Sequence, residues 1–262
     1  QSHRFHSGED LDQTLLRYVH LYNSQPPQSA LKGRTPIAAL KDWQRQRPEL
    51  FWKRVHNHAG CDSYQHLGTR DLLIGAEGNI SERTPGGMVI SVTGTRASNV
   101  RPGSFVACDL VGSTEDGRKP SSEWAMHAAI YRAFPKAGAI VHTHSDACVA
   151  LSAQHRPLPA FHYQVARFGG GDVRCAPYAM FGSLALAKVA VEALHDRTAC
   201  LLGNHGLICH GRTIEAAILS AEVLETLSRQ YLLFCASGVP RLLDAGQVAE
   251  ALARFGGSYA SG

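Results

Sequence analysis

The chain has 262 residues, 44% of them hydrophobic and 18% charged, with 25 glycines and 12 prolines, a composition of globular rather than disordered or fibrous proteins. Its apolar runs, such as residues 137–141 and 232–236, fall far short of the ~20 residues that cross a bilayer, and no charged-then-apolar leader is evident, so a cytoplasmic location is expected. The formal net charge of +4 is too small to announce nucleic-acid binding, and it is uneven: residues 1–62 carry 9 Lys/Arg against 6 Asp/Glu, and residues 63–262 carry 17 against 16.

Glycine divides the chain in the same way, with 3 in the first 62 residues and 22 in the remainder. A domain boundary is therefore expected near residues 62–64. Upstream, Leu11, Leu15, Tyr18, Val19 and Tyr22 recur at helical spacing over 11–22, and a second short helix is announced by Thr35-Pro36. This short helical extension has too little apolar surface for a core of its own.

Downstream, the glycine-bearing stretch 75–81 reads as a turn, 88–93 and 104–110 as strands, and 121–134 as a helix. A strand over 138–144 leads into a helix over 146–154. A helix over 181–195 follows, then strands over 199–205 and 207–210 as a hairpin. The last helix, 213–234, keeps Ile214, Ala217, Ala221, Leu224, Leu227, Tyr231 and Phe234 on one face, with Thr213 as its cap and Gly238 beyond its end. The pattern predicts an α/β fold with a central, largely antiparallel sheet and helices on its faces. Seven cysteines without a CxxC pair read as reduced small hydrophobes, not as a disulfide frame.

Three histidines carry the chemistry. His142 and His144 lie two apart in a strand, so their rings project from one face. His205 follows much later between Asn204 and Gly206, where glycine permits close approach. Three imidazole nitrogens with a vacant fourth position are what a catalytic zinc site requires. His127, His155, His162, His195 and His210 are read as helix-face, loop or strand-end residues. Glu123, after Pro120-Ser121-Ser122, reads as a first-turn acid that complements a helix dipole, although the same helix start is also an anion site. The turn at 75–81 and the strand end Thr93-Gly94 offer further backbone N–H groups, and Tyr163 is by default a packed aromatic.

In sequence order, Gly78-Asn79-Ile80-Ser81, Thr93-Gly94, Pro120-Ser121-Ser122-Glu123-Trp124, Val141-His142-Thr143-His144, Pro159-Ala160-Phe161-His162-Tyr163, Ala176-Pro177-Tyr178 and Asn204-His205-Gly206-Leu207 resemble the class II aldolase/adducin family, in particular its fuculose-phosphate aldolases. The likeness spans nearly all of residues 64–262. It implies a cytoplasmic homotetrameric lyase that cleaves a ketose 1-phosphate to dihydroxyacetone phosphate and a small aldehyde. It further implies Zn²⁺ held by His142, His144 and His205, with Glu123 as the acid/base that also approaches the metal. Gly78, Asn79, Thr93, Gly94, Ser121 and Ser122 match phosphate-binding positions. Tyr163 matches a residue that reaches across a subunit interface, and Tyr259, with Phe255, a mobile tail that closes the site. Alternatives within the family are a pentulose-phosphate 4-epimerase and a sugar-phosphate dehydratase on the same metal site; an inactive product of a disrupted gene is a third.

Two departures from the family pattern stand out. Ala76 and Glu77 replace a hydroxyl and a small residue before Gly78-Asn79. The family's N-terminal helix is expected to be mostly lost, exposing apolar surface. In its place residues 1–62, through Tyr18-Val19-His20-Leu21-Tyr22-Asn23 and the run 28–40, resemble the C-terminal end of an insertion-sequence transposase of the integrase type. That likeness implies a tail without its catalytic carboxylates. Arg45, Arg47, Lys53 and Arg54 are accordingly read as a solvated basic stretch, with no nucleic-acid partner expected.

Overall fold

The computed structural model of the chain describes residue 31 and residues 33–47, 61–114 and 116–259, apart from the side chains at 37, 44, 102 and 257–259. The chain divides into two compact units, residues 1–57 and 58–262. In the first, α1 (Pro36–Gln46) starts where Thr35-Pro36 announces it. The Thr35 hydroxyl accepts the Ala38 N–H at 3.3 Å, and proline fills the first turn, where no N–H is needed. Arg34 and Arg45 both pair with Asp42. The helix expected over 11–22, Lys53 and Arg54 lie outside the described residues.

Helix α2 (Cys61–Thr69) runs through the boundary expected at 62–64, and the two compact units divide between residues 57 and 58. It buries Tyr64 and Leu67, and the Tyr64 hydroxyl lies 3.0 Å from the carbonyls of both Gly78 and Thr95. Leu72 and Leu73, just beyond it, are buried rather than exposed. This short helix thus covers apolar surface that loss of the family's N-terminal helix was expected to uncover.

The expected fold class is observed. Seven strands form one sheet in the order β3-β2-β1-β4-β9-β8-β7: β1 (Asn79–Thr84), β2 (Gly87–Ser91), β3 (Phe105–Cys108), β4 (Ala139–Thr143), β7 (Cys175–Ala176), β8 (Ala199–Leu202) and β9 (Gly206–Gly211). Every neighbouring pair is antiparallel except β7 and β8. A separate two-stranded ribbon pairs β5 (Leu158–Pro159) with β6 (Asp172–Val173).

Alternate residues of the central strands feed two cores, which is why these strands read as nearly continuous apolar text. Ile80, Ala139, Val141, Leu201, Leu207 and Cys209 face α4 (Asp146–Ser152) and α6 (Ile214–Ser237). Met88, Ile90, Ile140, Cys200, Leu202 and Ile208 face α3 (Trp124–Ala133) and α5 (Leu184–Ala193). Each fully buried Leu or Ile contributes about 1.5–3 kcal/mol. Helix α6 uses the expected cap, Thr213 accepting the Ala216 N–H, and buries Ile214, Ala217, Ala221, Leu224 and Leu227. All seven cysteines carry free thiols.

Three readings need correction. The stretch expected as a turn over 75–81 becomes strand from Asn79, because β4 and β2 flank it and satisfy its backbone. The strand expected over 199–205 ends at Leu202, and His205 lies in the turn before β9. A final helix, α7 (Ala245–Tyr259), occupies what was expected to be a tail. Among the described residues no helix is long and apolar enough to cross a membrane.

Candidate metal centre

Antiparallel pairing assembles the site. Asn79 opens β1 directly opposite His142 near the end of β4, and Thr143 lies opposite Leu207 of β9. The turn before β9 delivers His205. Its backbone bends sharply at Asn204 (φ +54°), and Gly206 passes so near β4 that a Cβ would stand 2.3 Å from the Thr143 carbonyl oxygen. On the same face as His142, α3 presents Glu123 at its N-cap. The carboxylate makes no capping bond. It points instead into the cluster, so dipole complementation does not account for this residue.

The three rings meet edge to face, with centroids 4.6–4.8 Å apart and interplanar angles of 70–77°. His142 Nδ1 donates to the Leu207 carbonyl at 2.7 Å, and His144 Nδ1 donates to Glu77 Oε2 at 3.2 Å. Both rings therefore turn Nε2 inward, where the two nitrogens lie 2.9 Å apart. Glu123 Oε2 is 3.0 Å from His142 Nε2, and Oε1 is 3.4 Å from His205 Nε2. One ligand atom from each of the four residues falls within 4.8 Å of all the others.

The donor set fits a divalent metal ion. Zn–N bonds of about 2.0–2.1 Å place tetrahedral donors roughly 3.3 Å apart, against 2.9 Å between His142 and His144 Nε2 and 3.0 and 3.4 Å from the Glu123 oxygens to His142 and His205 Nε2. Glu123 Oε1 is buried and accepts no hydrogen bond, an orphan that a cation would satisfy.

Electrostatics agree. Burial alone would raise the Glu123 carboxyl, but His142 above all, then His205 and the Asn79 amide, hold it well below the ordinary range. Burial works against a charge on His142, yet Glu123 raises its affinity for a proton. His205 is pushed down to about 3 by burial and by the neighbouring His142 and His144.

The sequence model of the class II aldolase and adducin N-terminal domain matches residues 59–232. The chain belongs to the class II aldolase/adducin family. It is 40% identical over 198 residues to a 5-methylthioribulose-1-phosphate/5-deoxyribulose-1-phosphate aldolase of Rhodospirillum rubrum, spanning 76% of this chain and 90% of that protein. It is likewise 40% identical over 197 residues to an L-fuculose phosphate aldolase of Escherichia coli, spanning 74% of this chain and 90% of that one. A solved structure of an L-fuculose 1-phosphate aldolase superposes with a TM-score of 0.71 at 32% identity, covering 74% of this chain and 93% of that chain. The chain is thus a metal-dependent aldolase, a carbon–carbon lyase.

Around the metal cluster of this class II aldolase, the positions expected to bind phosphate fall into two groups. Asn79 is buried and donates Nδ2–H to Glu123 Oε2 at 2.9 Å, with Gly78 just before it. A bridge between Val92 and Pro120, with a Thr93 hydroxyl bond to the Pro120 carbonyl at 2.8 Å, brings Thr93-Gly94 beside Ser121-Ser122. Thr93, Gly94 and Ser122 are exposed. Tyr163 is not brought to the cluster. It lies on the surface between His162 and Phe255, lining a groove of about 510 Å³ with Leu243, Gln247 and Arg254. Tyr259 ends α7, and its side chain lies outside the described residues.

Sequence reasoning gave no supporting role to three residues that the structure ties to the site. Glu77, noted only as a departure from the family pattern, accepts from His144 Nδ1. Glu225 of α6 accepts the Ala147 and Cys148 N–H groups at 2.9 and 3.0 Å, fixing the start of α4 just after His144. His127, read as a helix-face residue, is fully buried behind Glu123. The signal for it was available: Glu123, His127 and Tyr131 follow at i, i+4 and i+8, one face of α3.

Proposed function

We propose that the chain cleaves a ketose 1-phosphate of the fuculose-1-phosphate kind by a retro-aldol reaction, yielding dihydroxyacetone phosphate and a small aldehyde. The observation that carries this reading is Glu123, a buried carboxylate facing three convergent imidazoles with one oxygen unsatisfied. The two relatives described act, by their names, on different sugar phosphates, fuculose phosphate and ribulose 1-phosphates substituted at C5. A fragment that such sugars can share is the three-carbon phosphate end, which this reaction releases as dihydroxyacetone phosphate.

His142, His144, His205 and Glu123 would hold Zn²⁺, whose charge makes an enediolate accessible next to a ketone. Glu123 is the acid/base. Balance requires that the hydroxyl on the departing carbon lose a proton as the carbon–carbon bond breaks, and that the enediolate carbon gain one. Glu123 serves the three-carbon side. Tyr163 and Tyr259, supplied by a neighbouring copy in a homotetramer, serve the aldehyde side; the exposed place of Tyr163 away from its own cluster supports that division. Gly78, Asn79, Thr93, Gly94, Ser121 and Ser122 receive the phosphate. Residues 1–62, similar to a transposase tail, take no part in the chemistry.

Metal analysis together with an aldehyde-release assay tests this. One zinc per chain is expected, and Glu123→Gln should lower the retro-aldol rate by about 10²- to 10⁴-fold. Full rate in Glu123→Gln, a zinc-free active enzyme, or epimerised pentulose phosphate as the sole product would refute it.

A further inference from the structure

A chain of buried polar groups runs behind Glu123. Asn79 Nδ2 meets Glu123 Oε2 at 2.9 Å, Asn79 Oδ1 meets His127 Nε2 at 2.5 Å, His127 Nδ1 meets Ser81 Oγ at 2.7 Å, and Ser81 Oγ meets the Tyr131 hydroxyl at 2.8 Å. His127 and Ser81 are fully buried and Tyr131 nearly so.

The carboxylate fixes the direction of the first two links. The Glu123 carboxylate accepts only, so the Asn79 NH₂ must face it and the Asn79 carbonyl must face His127. His127 Nε2 must then carry the hydrogen. On the far side Ser81 Oγ bridges His127 Nδ1 and the Tyr131 hydroxyl, which holds the ring in place.

We propose that His127 is a positioning residue of this lyase, holding the Asn79 amide with its NH₂ toward Glu123 and the phosphate end of the substrate. The role in turnover rests on the ketose 1-phosphate reading. A flipped amide would set carbonyl oxygen against the carboxylate and withdraw a donor from an anionic ligand. The chain aims and does not relay, because the weakly acidic amide of Asn79 interrupts any proton path between His127 and Glu123.

Two measurements on the full chain test the assignment. Nitrogen-15 spectra of histidine-labelled protein at pH 8 should show His127 Nε2 carrying the hydrogen that it donates to Asn79. A bare Nε2 would overturn the proposal whatever the enzyme's substrate, and this readout stands if the chain cleaves no ketose phosphate. In turnover with fuculose 1-phosphate, His127→Phe should lower kcat by about 10- to 100-fold, the size of a hydrogen bond to a charged group. His127→Gln, which retains an amide donor near the Nε2 position, should recover most of it. In an Asn79→Ala background His127→Phe should cost nothing more, since its effect travels through Asn79. Losses that multiply, or equal kcat in His127→Phe and wild type per folded chain, would reduce His127 to a packing role and overturn the proposal.

Discussion

Gly78 is the residue at which fold and site are most tightly bound, and three glycine substitutions separate what it contributes. Its φ of +85° lies in the left-handed region. An added Cβ would stand 2.4 Å from Leu73 Cδ2, 2.8 Å from the His142 carbonyl oxygen and 3.3 Å from Thr143 Cα. The leucine methyl can turn aside, but the carbonyl belongs to a central strand and can move only with His142. Gly75 has φ +62° with nothing within 4 Å, and Gly86 has neither a positive φ nor a neighbour. Gly75→Ala should therefore cost about 1–2 kcal/mol for the backbone alone. Gly86→Ala should fall within about 1 kcal/mol of wild type, on the stabilising side. Gly78→Ala adds to the backbone cost an overpacking cost of roughly 1–3 kcal/mol, for a total of about 2–5 kcal/mol, a large share of a typical 5–15 kcal/mol. Urea unfolding of the three variants reads these differences directly. Metal affinity should fall in Gly78→Ala alone, because the forced shift is transmitted to His142. If Gly78→Ala unfolds at the same urea concentration as Gly75→Ala, the close packing of Gly78 on β4 is wrong.

Two further outcomes concern buried charge. His127 titrates near 6.5 when unfolded but near 3 in the fold, so the unfolded chain binds more protons between those values. Stability should then rise with pH through that window, and about 2 kcal/mol should be lost on going from pH 8 to pH 5. His127→Gln should remove that part of the acid sensitivity in urea midpoints measured at both pH values, and an unaltered slope would count against a neutral buried ring. Glu225 accepts two backbone N–H groups at the start of α4. Glu225→Ala should cost about 2–4 kcal/mol and Glu225→Gln distinctly less; equal midpoints would show that the carboxylate is not capping that helix.

The parts of the site legible in the sequence are those whose geometry is local. His142 and His144 share a face because a strand has a period of two, and the placement of Glu123 at a helix start follows from Pro120-Ser121-Ser122. What escaped depends on distant packing. Asn79 and Ser81 make β1 look like loop, since a polar strand edge is ordinarily solvated; here α3 covers that face with His127 and Tyr131 and satisfies both residues. The two-residue strands β5, β6 and β7 are too short for any period to show. Helix α7 contains Gly246, Gly256 and Gly257, which weaken its local preference, and its packing against Tyr163 and the 3₁₀ helix Tyr163–Phe168 is invisible in its own text.

The two oxygens of Glu123 are held in unlike ways, and that difference bears on the proposal that one carboxylate both approaches a metal and carries a proton. Oε2 takes Asn79 on one side and His142 on the other. Its position is fixed by β1 and β4, neither of which can move without breaking the sheet. Oε1 takes no hydrogen bond and looks toward His205, which sits in a turn rather than a strand. A cation among the imidazoles satisfies Oε1, but so does a proton or a substrate hydroxyl. In the proposed reaction the fixed oxygen would supply aim and the unsatisfied one reactivity. Because His142 Nε2 faces Oε2 directly, a metal ion bound there must compete with a proton for the same lone pair, which ties metal occupancy to pH. The buried orphan atom is an expense to the fold of about 1–3 kcal/mol. Its persistence beside three convergent nitrogens fits the proposed acid/base role, in which that atom would accept a new partner during each turnover.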